Sequence, residues 1–293
     1  MSEAAFEPTF PITPAVEADG TLTAIVVKPA TPLGTAALLT VALPTTLEIG
    51  LPSGRYFLAR CGAQTPFERA EQWPIVLRRP LFLATAGPVA VEEAGDGVIA
   101  PQAALWELLL PGLSAAGDRW IAQLPAGTSL NLLGPLGQGF TLQPLARNLL
   151  LITDLPHLPL LLGLLEQMLD QRGRVTLFLR LEGPLPESVR NRLPLAVELR
   201  LAYDDADWQQ QLGETIRWAD QVAAALPNAT YPLLAQMIRQ NRLRLERGFA
   251  HVFVQADLAC GVGACLACTI PLPDGGLTRA CVHGPVFDLA AIC

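Results

Sequence analysis

Four cysteines near the end of the chain have the types and the spacing for metal chemistry. Cys260, Cys265 and Cys268 lie in Ala-Cys-Gly-Val-Gly-Ala-Cys-Leu-Ala-Cys, and Cys281 follows in Arg-Ala-Cys. The pattern reads C-x4-C-x2-C-x12-C. Thiolates are soft ligands that suit iron with sulfide, or zinc. Each iron of a [2Fe–2S] rhomb takes two terminal ligands, so four thiolates complete one cluster, which moves single electrons. A structural zinc site usually draws four cysteines from two CxxC-like knuckles; here only Cys265 and Cys268 form one. Disulfides are not expected, because six cysteines in 293 residues are too sparse for a disulfide scaffold.

The first three cysteines share the C-x4-C-x2-C spacing of plant-type ferredoxin loops. Three ligands this close together need a loop that curls around the cluster. Gly261 and Gly263 supply positive φ and close backbone approach, and Ala259, Ala264 and Ala267 keep the surroundings small. Loop N–H groups can then point at the sulfurs. Pro273-Asp274-Gly275-Gly276 reads as a hairpin turn that returns Cys281 as the fourth ligand. His283 sits two residues beyond Cys281 and could replace a thiolate as in Rieske centres, but four cysteines already complete the shell. Cys61 reads as a small core residue, Cys293 has no assigned role, and His157 and His251 are expected to be structural or exposed.

Two larger units must position this loop. From Thr21 to about Gln143, short apolar runs alternate with Gly and Pro. Examples are Leu22–Val27, Tyr56–Arg60, Ile75–Leu77, Trp106–Leu110 and Leu130–Leu133, as expected of an antiparallel barrel or sandwich. From Asn148 strands alternate with helices. Strands are expected at Leu149–Thr153, Val175–Leu181, Ala196–Ala202, Gln221–Ala225 and His251–Gln255. Helices are expected at Leu158–Gln171, Glu187–Arg192 and Tyr231–Arg247, with a helical turn at Trp208–Leu212. Such alternation implies a parallel, doubly wound sheet. The fold class is therefore α+β multi-domain: a β-barrel over 1–146, an α/β domain over 147–250 and a cysteine segment over 251–293.

Composition narrows the function. The chain is 51% hydrophobic and 16% charged, below the usual charged fraction of about a quarter. That suits a large core and an apolar surface covered by a partner. A net charge of −7 without a basic run argues against nucleic acid. The apolar stretch at 149–165 is broken by Asp154, Pro156, His157 and Pro159, so it is not a membrane span. The opening Met-Ser-Glu-Ala-Ala-Phe-Glu lacks a signal-peptide apolar run. A cytoplasmic location is expected, where thiols stay reduced.

The order of these units resembles the ferredoxin-reductase superfamily. Within it the chain is similar to the electron-transfer subunits of class 1B dihydroorotate dehydrogenases. The resemblance rests on Leu77-Arg78-Arg79-Pro80, on Gly134-Pro135-Leu136-Gly137-Gln138-Gly139-Phe140, and on Ala259–Asp288 with Cys281-Val282-His283-Gly284-Pro285-Val286-Phe287-Asp288. It implies Cys260, Cys265, Cys268 and Cys281 as ligands of a [2Fe–2S] cluster and a relay between a nicotinamide, FAD and a partner carrying FMN. The partner would be a dihydroorotate dehydrogenase-like catalytic subunit in a hetero-oligomer of pyrimidine biosynthesis. The other reading is a non-catalytic partner or assembly subunit whose cluster is structural or sensory. Arg79, Pro80, Gly117 and Gly134 are the positions the resemblance implies for FAD. In that family a Ser or Thr hydroxyl follows Arg-Pro near the flavin N5, whereas Phe82 stands here. Asp118 falls where flavin phosphates would lie. The glycine-rich nicotinamide turn is replaced by Thr153-Asp154-Leu155-Pro156-His157-Leu158-Pro159, and the family's Cys-Gly-Pro turn by Ala225-Leu226-Pro227. FAD is thus a weakened expectation, and NAD(P)H is not expected to bind in the usual way.

Overall fold

The apolar runs of the first half form seven antiparallel strands. These are β1 (Ala15–Val16), β2 (Leu22–Leu33), β3 (Ala36–Pro44), β4 (Tyr56–Ala59), β5 (Arg79–Leu83), β6 (Ala103–Leu110) and β7 (Ser129–Leu136). The computed structural model describes residues 13–47, 51–62, 72–85 and 103–293. The strand order is β1-β2-β3-β6-β5-β4-β7, and β7 pairs back onto β2, closing a six-stranded barrel. Helix α1 (Ala116–Ala122) lies between β6 and β7.

Strand alternation sorts the barrel's side chains into two cores. Phe57, Leu81, Leu83, Trp106 and Leu108 point inward and fill the barrel. Their neighbours Tyr56, Leu58, Phe82 and Leu109 point outward and join the core of the second half. The barrel wall is therefore also an internal wall.

The second half carries the expected alternation. Strands β8 (Asn148–Asp154), β9 (Arg174–Arg180), β10 (Glu198–Ala202), β11 (Gln221–Ala225) and β12 (Ala250–Phe253) run parallel in the order β10-β9-β8-β11-β12. Helices α2 (Pro159–Asp170), α3 (Glu187–Arg192), α4 (Asp205–Trp218) and α5 (Tyr231–Arg242) connect them. A small hairpin of β13 (Thr269–Pro271) and β14 (Leu277–Arg279) leads into α6 (Ala280–His283). Strand β15 (Val286–Asp288) then returns to pair antiparallel with β12, and α7 (Leu289–Ile292) ends the chain's secondary structure. The sequence therefore reads correctly as barrel, doubly wound sheet and cysteine segment.

Several local expectations are corrected. The run at Ile75–Leu77 is not a strand: Trp73–Ile75 forms a 3-10 turn and the strand begins at Arg79. Pro74 withholds an N–H donor from any ladder there. Strand β3 and helix α1 were not expected from the sequence. The helical turn at Trp208–Leu212 is part of a 14-residue helix, in which Trp208, Leu212 and Ile216 share one buried face. The helix from Tyr231 stops at Arg242, where Leu243 takes φ +67°. Among the described residues no helix is long and apolar enough to cross a membrane.

Candidate iron–sulfur centre

The cysteine loop is shaped by its glycines. Gly261 and Gly263 take φ of +73° and +76°, the left-handed region that glycine enters without strain. A Cβ on Gly261 would stand 2.7 Å from Leu136 and 3.0 Å from Leu58, so the curl presses directly on the barrel wall. The turn at Pro273–Gly276 forms as expected: the Gly275 N–H donates to the Leu272 carbonyl at 3.0 Å, and the Gly276 N–H to Asp274 Oδ1 at 2.9 Å. The hairpin sets Thr269 opposite Arg279. The Ala280 N–H then bonds the Cys268 carbonyl at 3.0 Å, and the Cys281 N–H points at Cys268 Sγ from 3.5 Å.

The Cys281 N–H lies 3.5 Å from Cys268 Sγ, and Cys260 and Cys265 flank the glycine curl. Cys268 and Cys281 are buried, Cys260 is half-buried and Cys265 is exposed. The N–H groups of Cys265 and Val262, then the Cys265 thiol, pull the Cys260 thiol down to about 6, with the Ala264 N–H adding to the effect. Burial and the neighbouring Cys268 push the Cys281 thiol up to about 12, opposed by the Gly263 N–H. Loop amides thus converge on sulfur, the arrangement that stabilises thiolates and tunes an iron–sulfur centre. Among the described residues no three His, Cys, Asp or Glu side chains close on a single point. Four soft thiolates on one curled loop and its returning hairpin suit a rhomb whose two irons each take two of them. The donor set therefore fits a [2Fe–2S] cluster.

The barrel supports this loop from beneath. The Tyr56 hydroxyl donates to the Cys281 carbonyl at 3.1 Å, and burial followed by the nearby thiols raises the Tyr56 pKa. The Gly134–Phe140 run clamps the segment: the Gln138 N–H donates to the Gly284 carbonyl at 2.6 Å. A Cβ on Gly137 would meet that same carbonyl at 2.5 Å. Tyr56 lies 225 positions from Cys281, so only the closing of the barrel onto the sheet joins the two. His283 is exposed and pairs with Thr278 Oγ1 at 3.1 Å, away from any replacement of a thiolate. Cys61 is buried in the barrel core with its thiol pushed up to about 12 by burial, and Cys293 is half-buried.

The positions implied for a flavin are engaged elsewhere. Arg79 Nε and Nη2 hold Asp118 Oδ1 and Oδ2 at 2.6 and 2.9 Å, and Asp118 is only 4% exposed. Gly117 lies beneath that arginine: a Cβ there would stand 2.9 Å from Arg79 Cγ. Pro80 is buried in β5 opposite Leu58. Gly134 packs against β4, where a Cβ would meet Phe57 and the Tyr56 carbonyl at 3.0 Å. Phe82 points out of the barrel and meets the ring of Phe253 edge-on, with centroids 4.8 Å apart. A pyrophosphate at Arg79 would have to displace a buried carboxylate, and leaving such a charge unpaired costs on the order of a few kcal/mol. The weakened flavin expectation thus meets a specific competitor at Arg79, the Asp118 carboxylate.

The sheet reverses its strand order between β8 and β11, the place where doubly wound sheets take ligands. Here that crevice holds His157, which is 4% exposed. Its Nδ1 meets Asp154 Oδ1 at 2.5 Å and its Nε2 meets Gln255 Nε2. Pro159 has no N–H, and the next two amides of α2, from Leu160 and Leu161, donate to the His157 and Leu158 carbonyls at 3.0 Å. Across the crevice, the Tyr231 hydroxyl has the carbonyls of Phe253 and Leu226 as acceptors for its one proton, and it accepts from the Leu226 N–H at 3.1 Å. The histidine expected to be structural or exposed is thus structural, and it fills the switch point.

Comparison with known proteins agrees with the cysteine segment and the fold. Residues 255–293 match the family model described as the iron–sulfur cluster binding domain of dihydroorotate dehydrogenase B. A relative from Shouchella clausii, named dihydroorotate dehydrogenase B (NAD(+)), electron transfer subunit, is 24% identical over 238 residues, covering 76% of this chain and 82% of its own. The protein of the same name from Desulforamulus reducens is 25% identical over 252 residues, covering 83% and 87%. In fold, the chain is similar to an NADH-dependent reduced ferredoxin–NADP oxidoreductase, with a TM-score of 0.66 at 14% identity over 92% of this chain and 89% of that one. It is also similar to phthalate dioxygenase reductase, with a TM-score of 0.55 at 12% identity over 91% and 78%. The resemblance drawn from the cysteines and the barrel motifs is borne out.

Proposed function

We propose that this chain is the iron–sulfur electron-transfer subunit of a hetero-oligomeric oxidoreductase, with a dihydroorotate dehydrogenase-like catalytic partner in pyrimidine biosynthesis. The observation that carries the reading is the set of four cysteines on a glycine-curled loop and its returning hairpin, within the segment matched to a cluster-binding domain. Cys260, Cys265, Cys268 and Cys281 would hold the two irons. When bound, such a cluster accepts and gives up one electron at a time. On this reading residues 1–146 are a reductase-type barrel, 147–250 a nucleotide-domain-like scaffold and 251–293 the cluster segment, in a cytoplasmic protein.

The chain's own residues perform three tasks. Loop amides from Val262, Gly263, Ala264 and Cys265 neutralise charge on sulfur. Burial of Cys268 and Cys281 against the Tyr56 side chain keeps water from one side of the site. On the other side, Cys265 is exposed beside Val262, Leu266 and Val282, apolar side chains that are 66%, 58% and 39% exposed. An apolar rim around a solvent-facing ligand suits a partner that must bring its own redox centre close.

Anaerobic co-expression with a dihydroorotate dehydrogenase catalytic subunit, followed by ultraviolet–visible and EPR spectroscopy, tests the proposal. The expected result is co-purification and a [2Fe–2S] signal that appears on reduction and disappears on reoxidation in the complex. A centre that cannot be cycled in the complex would favour the structural or sensory role instead.

A further inference from the structure

Three packing arrangements, none involving a cysteine side chain, occupy the positions where the resemblance implies a flavin and a nicotinamide. The first is at the phosphate side. Arg79 spends Nε and Nη2 on Asp118, at 2.6 and 2.9 Å. A cleft opens beside it, lined by Pro74, Ile75, Leu77 and Gly117. Among the described residues lining that cleft, Arg79 is the only cation, and it is already paired.

The second is at the ring side. Phe82 stands where the family's hydroxyl would face the flavin N5, and it is 2% exposed. It sits 5.9 Å from the Tyr56 ring and 4.8 Å from the Phe253 ring. The third is at the switch point, where His157 lies 6.1 Å from that same Phe253 ring. Tyr56, Phe82, Phe253 and His157 therefore form one continuous column. It runs from the carbonyl of Cys281, which Tyr56 holds, to the crevice between β8 and β11. A tricyclic ring placed within this column would have to displace one of these close-packed side chains.

We propose that the described residues do not fit a flavin or NAD(P)H, and that the cluster takes its electrons from a one-electron centre on another protein. That donor is a reduced flavin or an iron–sulfur centre. It is oxidised by one electron as the cluster is reduced by one, so no hydride is transferred within this subunit. The proposal rests on the iron–sulfur reading above and goes beyond it by removing the flavin relay.

The test uses the full chain, purified anaerobically with its cluster and equilibrated with excess FAD or FMN before dialysis. No flavin is retained, excess NADH leaves the cluster oxidised, and dithionite reduces it. Stoichiometric retained flavin, or reduction of the cluster by NADH alone, overturns the proposal. A preparation with no EPR-active cluster overturns the iron–sulfur reading itself, so the two failures are distinct. A second measurement probes Asp118 directly. The variant Asp118→Asn frees Arg79 and binds inorganic pyrophosphate at least about tenfold more tightly than the parent, a difference of about 1.4 kcal/mol. Equal affinity in the two proteins overturns the assignment of Asp118 as the group that closes the phosphate side.

Discussion

At the scale of single residues, the cysteine site divides into a buried half and an open half. Cys268 is 2% exposed and accepts from the Cys281 N–H. Replacing it with alanine removes one proposed ligand and leaves the backbone of the curl unchanged. The Cys268→Ala protein should keep its far-ultraviolet circular dichroism and lose the reducible EPR signal. A second residue reports on acid stability. Burial lowers the pKa of His251 below its ordinary value of 6.5, with Asp288 opposing the shift. Between the folded value and 6.5, the unfolded chain binds more protons than the folded one, so stability falls as pH falls through that window. Urea unfolding measured at stepwise lower pH should show this decline. His251→Gln should flatten it, and an identical slope in both proteins would exclude the histidine as the source.

At the scale of elements, the loop geometry is enforced from the barrel side. Gly261 combines φ of +73° with a Leu136 methyl 2.7 Å from where a Cβ would stand. The Gly261→Val substitution adds backbone strain and overpacking, each on the order of 1–3 kcal/mol. It should lower the melting temperature and leave most molecules without cluster, as read by iron content per chain. Such elements differ in how far the sequence announces them. The cysteine curl and the Pro273–Gly276 turn were legible because each depends on residues within a few positions. The strands of the doubly wound sheet were legible because Leu149–Ile152 and Val222–Ala225 are continuously apolar. Helix α4 was not, because Asp204, Asp205, three glutamines and Gly213 surround its buried Trp208, Leu212 and Ile216. The site's second layer was hidden for another reason. Tyr56 and Cys281 are 225 positions apart, and only barrel closure brings them together. Asp118 could be suspected of opposing phosphate from its charge, but its capture of Arg79 is a tertiary fact.

At the scale of the whole molecule, barrel and sheet share one core, so the open half of the cysteine site is presented on a rigid base. Tyr56, Leu58, Phe82 and Phe140 belong to the same buried cluster as Phe253 and Leu151. Partner binding should therefore depend on the rim rather than on rearrangement. The double variant Val262→Glu, Leu266→Glu places two charges beside exposed Cys265 and should weaken association with the proposed catalytic partner by about tenfold or more. Its EPR signal should remain that of the parent, which separates a docking defect from cluster loss. Calorimetric titration of the two purified subunits reads the first effect directly.

The cysteine segment leaves the sheet after Phe253 and rejoins it at Val286, and those two residues face each other across β12 and β15. Its ends are thus moored one strand spacing apart, about 4.8 Å, whatever lies between them. Loop-closure entropy rises only slowly with length, by about 0.6 kcal/mol for each doubling. Residues 254–285 can therefore be treated as an exchangeable cassette. A segment of different length or with a different ligand set, spliced between the same two strands, inherits moorings that the remainder of the sheet already provides.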